Sequence, residues 1–258
     1  MLEFFALPIV GFLVGMLIVS FGGGGGAVYV GILTAIFHVP PAVAASTSLA
    51  TTIPTTAAGT FSHWKAGNIN LRFGLTMLCG GVAGSVAGSL CSGMLPQNLY
   101  NKLTGTILVL LALQMLLSNG KRKTNESTGH TDGNRPGRNG FIQAVCFGLL
   151  GGIMSGLVGL SGGGPIVAGL MILGCGALET VGTSVLVLLG MAVTGFAMHL
   201  GLGDIDWKLV GLLASGTTCG ALIGPLLLRR MDQKQLEKIL QPVLFLMTAA
   251  MGGILFFK

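Results

Sequence analysis

"SFGGGGGAVYV", residues 20–30, sets five consecutive glycines inside a stretch that carries no formal charge from Phe4 to Trp64. Each glycine costs about 1 kcal/mol relative to alanine in a helix interior, so five in a row interrupt whatever helix the flanking apolar residues would form. What glycine provides instead is permissive φ/ψ and close approach of the backbone to its surroundings. The meaning of the break depends on the solvent around it, and composition decides that.

Of 258 residues, 52% are hydrophobic and 9% are charged, against roughly 25% charged residues in a soluble domain. The mean hydropathy is +0.83. Uncharged runs recur at Phe73–Asn101, Leu103–Gly120, Asn139–Leu178, Thr180–Gly203, Leu209–Leu228 and Ile239–Phe257, most of them near or beyond the ~20 residues a bilayer-spanning helix needs. This pattern predicts an all-α polytopic membrane protein whose surroundings are the lipid bilayer. The first segment, Phe4 to Phe21, lacks a basic leading region and reads as part of the mature protein, not a cleaved signal peptide. The net charge of +6 sits in short loops between apolar spans and is not interleaved with aromatics, which reads as topology signal and not as a nucleic-acid surface. Cys79, Cys91, Cys146, Cys175 and Cys219 all fall within apolar spans with no CxxC spacing. They read as small core residues, with no metal site and no cofactor implied.

The one plainly polar stretch, residues 118–140, "SNGKRKTNESTGHTDGNRPGRNG", divides the chain into a first repeat, 1–117, and a second, 141–258. A shift of 136 residues aligns Gly59 with Gly195, His63 with His199, Ile69 with Ile205, Gly84 with Gly220 and Gly88 with Gly224. With a two-residue adjustment, Gly24 to Gly26 fall on Gly162 to Gly164, so the glycine break is duplicated. Each half parses into about five helical segments: 4–21, 23–37, 42–62, 71–95 and 99–117, then 141–159, 163–175, 181–201, 207–228 and 236–257. An odd number of crossings per half makes the halves inverted-topology repeats, with 8–10 transmembrane segments in all and some of them re-entrant or broken.

Loop charges support the parse. Lys65, Arg72, Lys121, Arg122, Lys123, Arg135, Arg138, Arg229, Arg230, Lys234 and Lys238 share one face, against Lys102, Lys208 and Lys258 on the other. Because Lys and Arg accumulate on the cytoplasmic side, the central loop is expected in the cytoplasm and both termini outside.

Non-helical backbone at membrane depth persists only where it is buried in protein or lines a cavity. Gly22, Gly23, Gly24, Gly25 and Gly26, with Gly162, Gly163 and Gly164, are therefore either small-residue helix contacts or breaks between half-helices whose N–H groups face an anion. No Asp, Glu, Lys or Arg lies inside a span except near its ends, which disfavours a cation carrier with an intramembrane carboxylate. Hydroxyls cluster in "ASTSLATTIPTT", residues 45–56, with "GTSVL", residues 182–186, at the equivalent place. Ser46, Thr47, Ser48, Thr183 and Ser184, together with Ser161, are candidate donors to such an anion, while Thr51, Thr52, Thr55 and Thr56 are expected to bond back to helix carbonyls. His63 and His199 end their helices at equivalent positions and are candidates for gating or for structural helix-end roles. A rival reading rests on "GLSG", residues 159–162, with His199: Ser161 as nucleophile and His199 as base would resemble the dyad of rhomboid intramembrane proteases.

The glycine cluster, "VAASTSLATTIPT", "HWKAGNINLR" and their counterparts "GLSGGGPIV", "ETVGTSVL" and "HLGLGDIDW" together resemble the TauE/SafE sulfite exporter family of membrane anion permeases, over nearly the whole chain. The resemblance implies a secondary permease, not an enzyme, that moves small sulfur-containing anions such as sulfite, sulfonates or other organosulfur acids across the cytoplasmic membrane. A coupling ion such as H+ would be a further partner, and a channel or permease for a different small solute is the alternative. Two departures stand out. Proline usually follows the family's glycine cluster, yet only the second cluster has it, at Pro165, and Asn68 and Asn70 stand where the second half has Asp204 and Asp206.

Overall fold

The structure is a computed structural model that describes residues 2–22, 25–35, 37–96, 98–99, 102–107, 109–110, 113, 138–200 and 205–228. Its regular elements are helices: α1 (Leu2–Phe21), α2 (Gly26–Ala35), α3 (Pro41–Lys65), α4 (Leu71–Met94), α5 (Arg138–Val158), α6 (Gly163–Ile172), α7 (Ala177–His199) and α8 (Trp207–Leu228). The chain is thus an all-α polytopic membrane protein. Among the described residues Leu71–Met94, Gly140–Val158 and Ala177–His199 are long and apolar enough to cross a membrane. Helix α5 begins at Arg138, inside the stretch assigned to the polar linker. The expected segment 99–117 is described only in part, with 102–107 helical, and segment 236–257 lies outside the described residues.

Local sequence accounts for the helix ends. Pro41 begins α3, where its missing N–H costs nothing. The Asn70 side chain caps α4 by accepting from Phe73 N at 3.1 Å, and Asp206 at the equivalent place caps α8 by accepting from Lys208 N at 3.0 Å and Leu209 N at 3.2 Å. Helices α2 and α6 are each 10 residues long, about 15 Å at 1.5 Å per residue, half the roughly 30 Å of a hydrocarbon core. Each follows a glycine break and stops before the next full-length helix.

The helices pair by exchange of the two halves. Helix α1 packs on α8 and α4 on α5, each pair consisting of the first helix of one half and the fourth of the other. Glycines set both contacts: a Cβ added at Gly216 or Gly220 would meet the carbonyl of Pro8 or Phe12, and one added at Gly80 or Gly84 would meet that of Val145 or Leu149. In return, Gly11 and Gly15 abut Leu213 and Thr217, as Gly148 and Gly152 abut Met77 and Gly81. Small residues let helix backbones touch in this way, and dispersion at that distance holds the pairs together where lipid supplies no hydrophobic drive. Helices α3 and α7 meet at the centre, with Gly59 against Val185 and Gly195 against Leu49. Residue numbers rise along α3 as they fall along α7, so these equivalent helices run antiparallel.

Two apolar clusters flank this central pair. One gathers Leu7, Tyr29, Leu33 and Leu213, and the other gathers Ala144, Ile166, Leu170 and Met77. The cysteines depart from expectation. Cys79, Cys91, Cys146 and Cys219 are free and exposed, and Cys175 is half-buried, because the glycines of α4, α5 and α8 take the tight interhelical positions and turn these thiols outward.

Glycines at the helix pairs and elsewhere should respond oppositely to a methyl group. Gly84→Ala and Gly220→Ala force backbone apart and should each destabilise by about 1–3 kcal/mol. Gly211 has open space around its Cβ position, and Gly211→Ala should stabilise by about 0.5–1 kcal/mol. Thermal unfolding of the purified full-length variants in detergent checks both signs.

Candidate functional site

The two glycine breaks touch. Helix α1 ends at Phe21 and Gly22 follows in the left-handed region at φ +66°; helix α5 ends at Val158 and Gly159 follows at φ +71°. Both are the usual glycine stop of a helix, which only a residue without Cβ enters cheaply. The second break continues through Ser161, at φ 54°, and Gly162, at φ 61°. A serine held in the left-handed region is strained, and such strain collects at functional positions. Its hydroxyl accepts the backbone N–H of Gly26, at the start of α2, at 3.0 Å. A Cβ on Gly26 would strike the Gly159 carbonyl and the Ser161 side chain, so the contact requires glycine at position 26.

The carbonyls freed at the breaks are satisfied by the opposite half. Ser184 Oγ of α7 shares its proton between Gly22 O at 3.0 Å and Val181 O at 2.8 Å, and Ser48 Oγ of α3 donates to Gly159 O at 3.0 Å. Ser48 and Ser184 are equivalent under the 136-residue shift, and the two glycines are equivalent helix stops. The same pairing holds at the histidines. His63 Nε2 lies 3.0 Å from Val19 O and His199 Nε2 lies 2.7 Å from Gly156 O, so each imidazole donates to a carbonyl in the last turn of the first helix of its own half, Gly156 O also accepting from Ser89 Oγ at 3.3 Å. The other His199 nitrogen, Nδ1, stands 3.4 Å from Ser46 Oγ.

The expected donors therefore divide. Ser48 and Ser184 meet at the breaks with their protons engaged by carbonyls. Ser46 donates to Ala42 O at 3.0 Å, and Thr183 accepts from Asn70 N at 2.9 Å, away from the crossing. Thr47 is fully buried and its hydroxyl has no partner. Ser161 sits at the crossing itself as an acceptor. Gly22 and Gly26 lie at the breaks, Gly25 packs against Val14 and Ile18, and Gly162 packs against Gly151. Gly163 and Gly164 open α6, and Gly23 and Gly24 lie outside the described residues. Thr51, Thr52, Thr55 and Thr56 bond to the carbonyls one turn back at 2.7–3.0 Å, as expected of threonine in an apolar helix. Thr55 Oγ1 also lies 2.7 Å from Thr217 Oγ1 of α8, a hydroxyl–hydroxyl contact.

The protease-like dyad is not assembled. His199 meets Gly156 O and Ser46 while Ser161 meets Gly26 N, so base and nucleophile serve different partners. The stretch belongs to a structural junction. Among the described residues no cluster of three or more His, Cys, Asp or Glu could hold a metal.

An apolar helical bundle with half-length helices, duplicated backbone breaks and hydroxyl-lined contacts between its halves has the architecture of a membrane transporter. Comparison with known proteins agrees: the model of the family described as sulfite exporter TauE/SafE matches residues 7–251, and the chain belongs to that family. It is similar to the probable membrane transporter protein YdhB of Bacillus subtilis, 32% identical over 95% of this chain and 97% of the relative. It also resembles YunE of the same organism, again a probable membrane transporter protein, at 26% identity over 95% of this chain and 96% of the relative. A probable membrane transporter protein of Methanocaldococcus jannaschii, MJ0441, is 34% identical over 62% of this chain and 59% of its own length. No solved structure matches the chain significantly. The chain is a membrane transporter of the TauE/SafE type.

The cross-half bonds have a measurable role. Ser48→Ala and Ser184→Ala each leave a buried glycine carbonyl unpaired, at a cost of about 1–3 kcal/mol. Both should lower the unfolding temperature in detergent by similar amounts, and Ser215→Ala, at an exposed helix position, should leave it unchanged.

Proposed function

We propose that this protein carries small sulfur-containing anions, such as sulfite, sulfonates or other organosulfur acids, across the cytoplasmic membrane by alternating access of two inverted repeats. The observation that carries the reading is the Gly26 N–H to Ser161 Oγ bond, which joins the two breaks at one point. Backbone N–H groups at helix starts favour negative charge, and α2 and α6 both start at the breaks. Ser161 accepts from Gly26 and retains its own O–H for an anion. A substrate oxygen arriving at the crossing would accept a hydrogen bond from that O–H and displace the contact between the halves.

Antiparallel packing of the equivalent helices α3 and α7 supports inversion, and the exchange of helix pairs supplies two equivalent arrangements that a rocking motion can interconvert. Loop charge supports a cytoplasmic α3–α4 connection, with Lys65 and Arg72. Arg72 and Lys208 occupy equivalent positions near the starts of α4 and α8, so a cation stands at each mouth to draw anions in.

Purified protein in liposomes should transport sulfite, thiosulfate or a small sulfonate and leave monovalent cations behind. Ser161→Ala removes a hydrogen bond to a charged ligand, worth about 1.5–3 kcal/mol, and should weaken anion binding by roughly ten- to a hundredfold with the fold retained. Cation flux without flux of any of these anions would refute the reading.

A further inference from the structure

Both central helices carry a histidine in their last turn, and the two imidazoles are housed differently. His199, the last residue of α7, is 2% exposed, while His63 of α3 is half-buried. His199 lies between an α5 carbonyl and an α3 hydroxyl: Nε2 is 2.7 Å from Gly156 O and Nδ1 is 3.4 Å from Ser46 Oγ. Ser46 Oγ in turn donates to Ala42 O at 3.0 Å. Under the 136-residue shift Ser46 corresponds to Gly182, which has no hydroxyl. A Cβ built at Gly182 would lie 3.1 Å from His63 Cβ, so this position faces its histidine in both halves and supplies a polar partner in only one.

These contacts suit an imidazole that gains and loses a proton. A carbonyl only accepts, so Nε2 carries a proton in either charge state and Nδ1 is the nitrogen that titrates. In the neutral ring Ser46 can turn its proton from Ala42 O to Nδ1. In the charged ring Nδ1–H donates to Ser46 Oγ, whose own proton stays on Ala42 O, and both ring N–H groups are met, as a buried cation requires. Two helix C-termini add their negative ends, that of α7 itself and that of α5, whose last turn holds Gly156. Helix α4 contributes Ser89, bonded to the same Gly156 carbonyl. The charged residues of α3, α4, α5 and α7, namely Lys65, Arg72, Arg138 and Glu179, stand at the opposite ends of those helices. At the His199 end the titratable or charged residues among those described are Glu3, His38, Lys102, Asp206 and Lys208, with Asp206 engaged in capping α8; Asp204 lies outside the described residues.

We infer that His199, held between the Gly156 carbonyl and Ser46, is the proton-binding site that couples proton movement to the anion. The inference rests on the anion-carrier reading and adds to it the coupling ion and the residue that holds it. Both partners of His199 adjoin a break, since Gly156 and Ser46 lie just before Gly159 and Ser48, and Ser48 Oγ donates to Gly159 O at 3.0 Å. The imidazole thus spans the same two helices as the bond that satisfies the break. A charge on it attracts the anion at the crossing through a low-dielectric interior, so each strengthens binding of the other, as linkage requires. The proton is taken from water on one face and returned to water on the other together with the anion.

Nitrogen-15 NMR of the histidine-labelled full-length protein in lipid nanodiscs, without added solute, reads the charge of each imidazole, with His199→Gln assigning the signal. Across about pH 5 to 8, the imidazole window, His199 should gain a proton at Nδ1 while Nε2 stays protonated, and Ser46→Ala should lower its proton affinity at least threefold without moving His63. A His199 that stays neutral throughout, or that titrates identically in Ser46→Ala, would overturn the inference. In liposomes with the membrane potential clamped by valinomycin and potassium, a gradient of methanesulfonate, which brings no proton of its own, should drive protons with the anion. His199→Gln, whose amide still donates to Gly156 O, should cut the protons moved per anion at least tenfold, and His63→Gln should keep that ratio. An unchanged ratio in His199→Gln would also overturn the inference. Absence of any anion flux would instead strike the anion reading, while the titration, made without solute, still decides the proton site.

Discussion

Backbone that leaves a helix inside a membrane must find its hydrogen bonds within the protein, since an unpaired polar group in hydrocarbon costs several kcal/mol. Here that requirement falls on Gly22 and Gly159, and it is met across the halves by Ser184 and Ser48. The breaks can therefore exist only when both halves are assembled. Other features follow from the same need. His63 and His199 take up carbonyls in the last turns of α1 and α5, and the glycines of α1, α4, α5 and α8 bring the paired helices close enough for the opposite half to reach the breaks.

Symmetry and its failure have different consequences. Where equivalent residues make equivalent bonds, as at the serines and the histidines, the two halves share one framework. Where the repeats differ, at Glu179 against Val43 and at Asn70 against Asp206, Asn70 bonds to Thr183 and Glu179 while Asp206 caps α8.

The fold class was legible in composition, and the breaks in the run of glycines and its partner 138 residues later. The roles of individual hydroxyls were only partly legible. "ASTSLATTIPTT" marks a polar face, and the back-bonding of Thr51, Thr52, Thr55 and Thr56 follows from helix geometry alone. That Ser48 and Ser184 donate to glycine carbonyls 111 and 162 residues away is a property of the packed bundle, and no local spacing encodes it. The departure at Asn70 and Asp206 was visible in the repeat alignment, but its meaning required Glu179 and Thr183 to be placed beside it. Likewise "GLSG" with His199 suggested catalysis because sequence cannot show that the two side chains face different carbonyl and N–H partners. The exposed cysteines show the same limit: an apolar span identifies lipid or core, and the glycine contacts decide which.

The central claim is that the crossing of the two breaks is where the anion sits. An experimental density map of the full-length protein in lipid, with and without a saturating sulfur oxyanion, tests it most directly. The account predicts added density between the start of α2 and Ser161, within hydrogen-bonding distance of Ser161 Oγ, with the Gly26 to Ser161 contact opened. Anion density elsewhere in the bundle, with that contact intact, would contradict it.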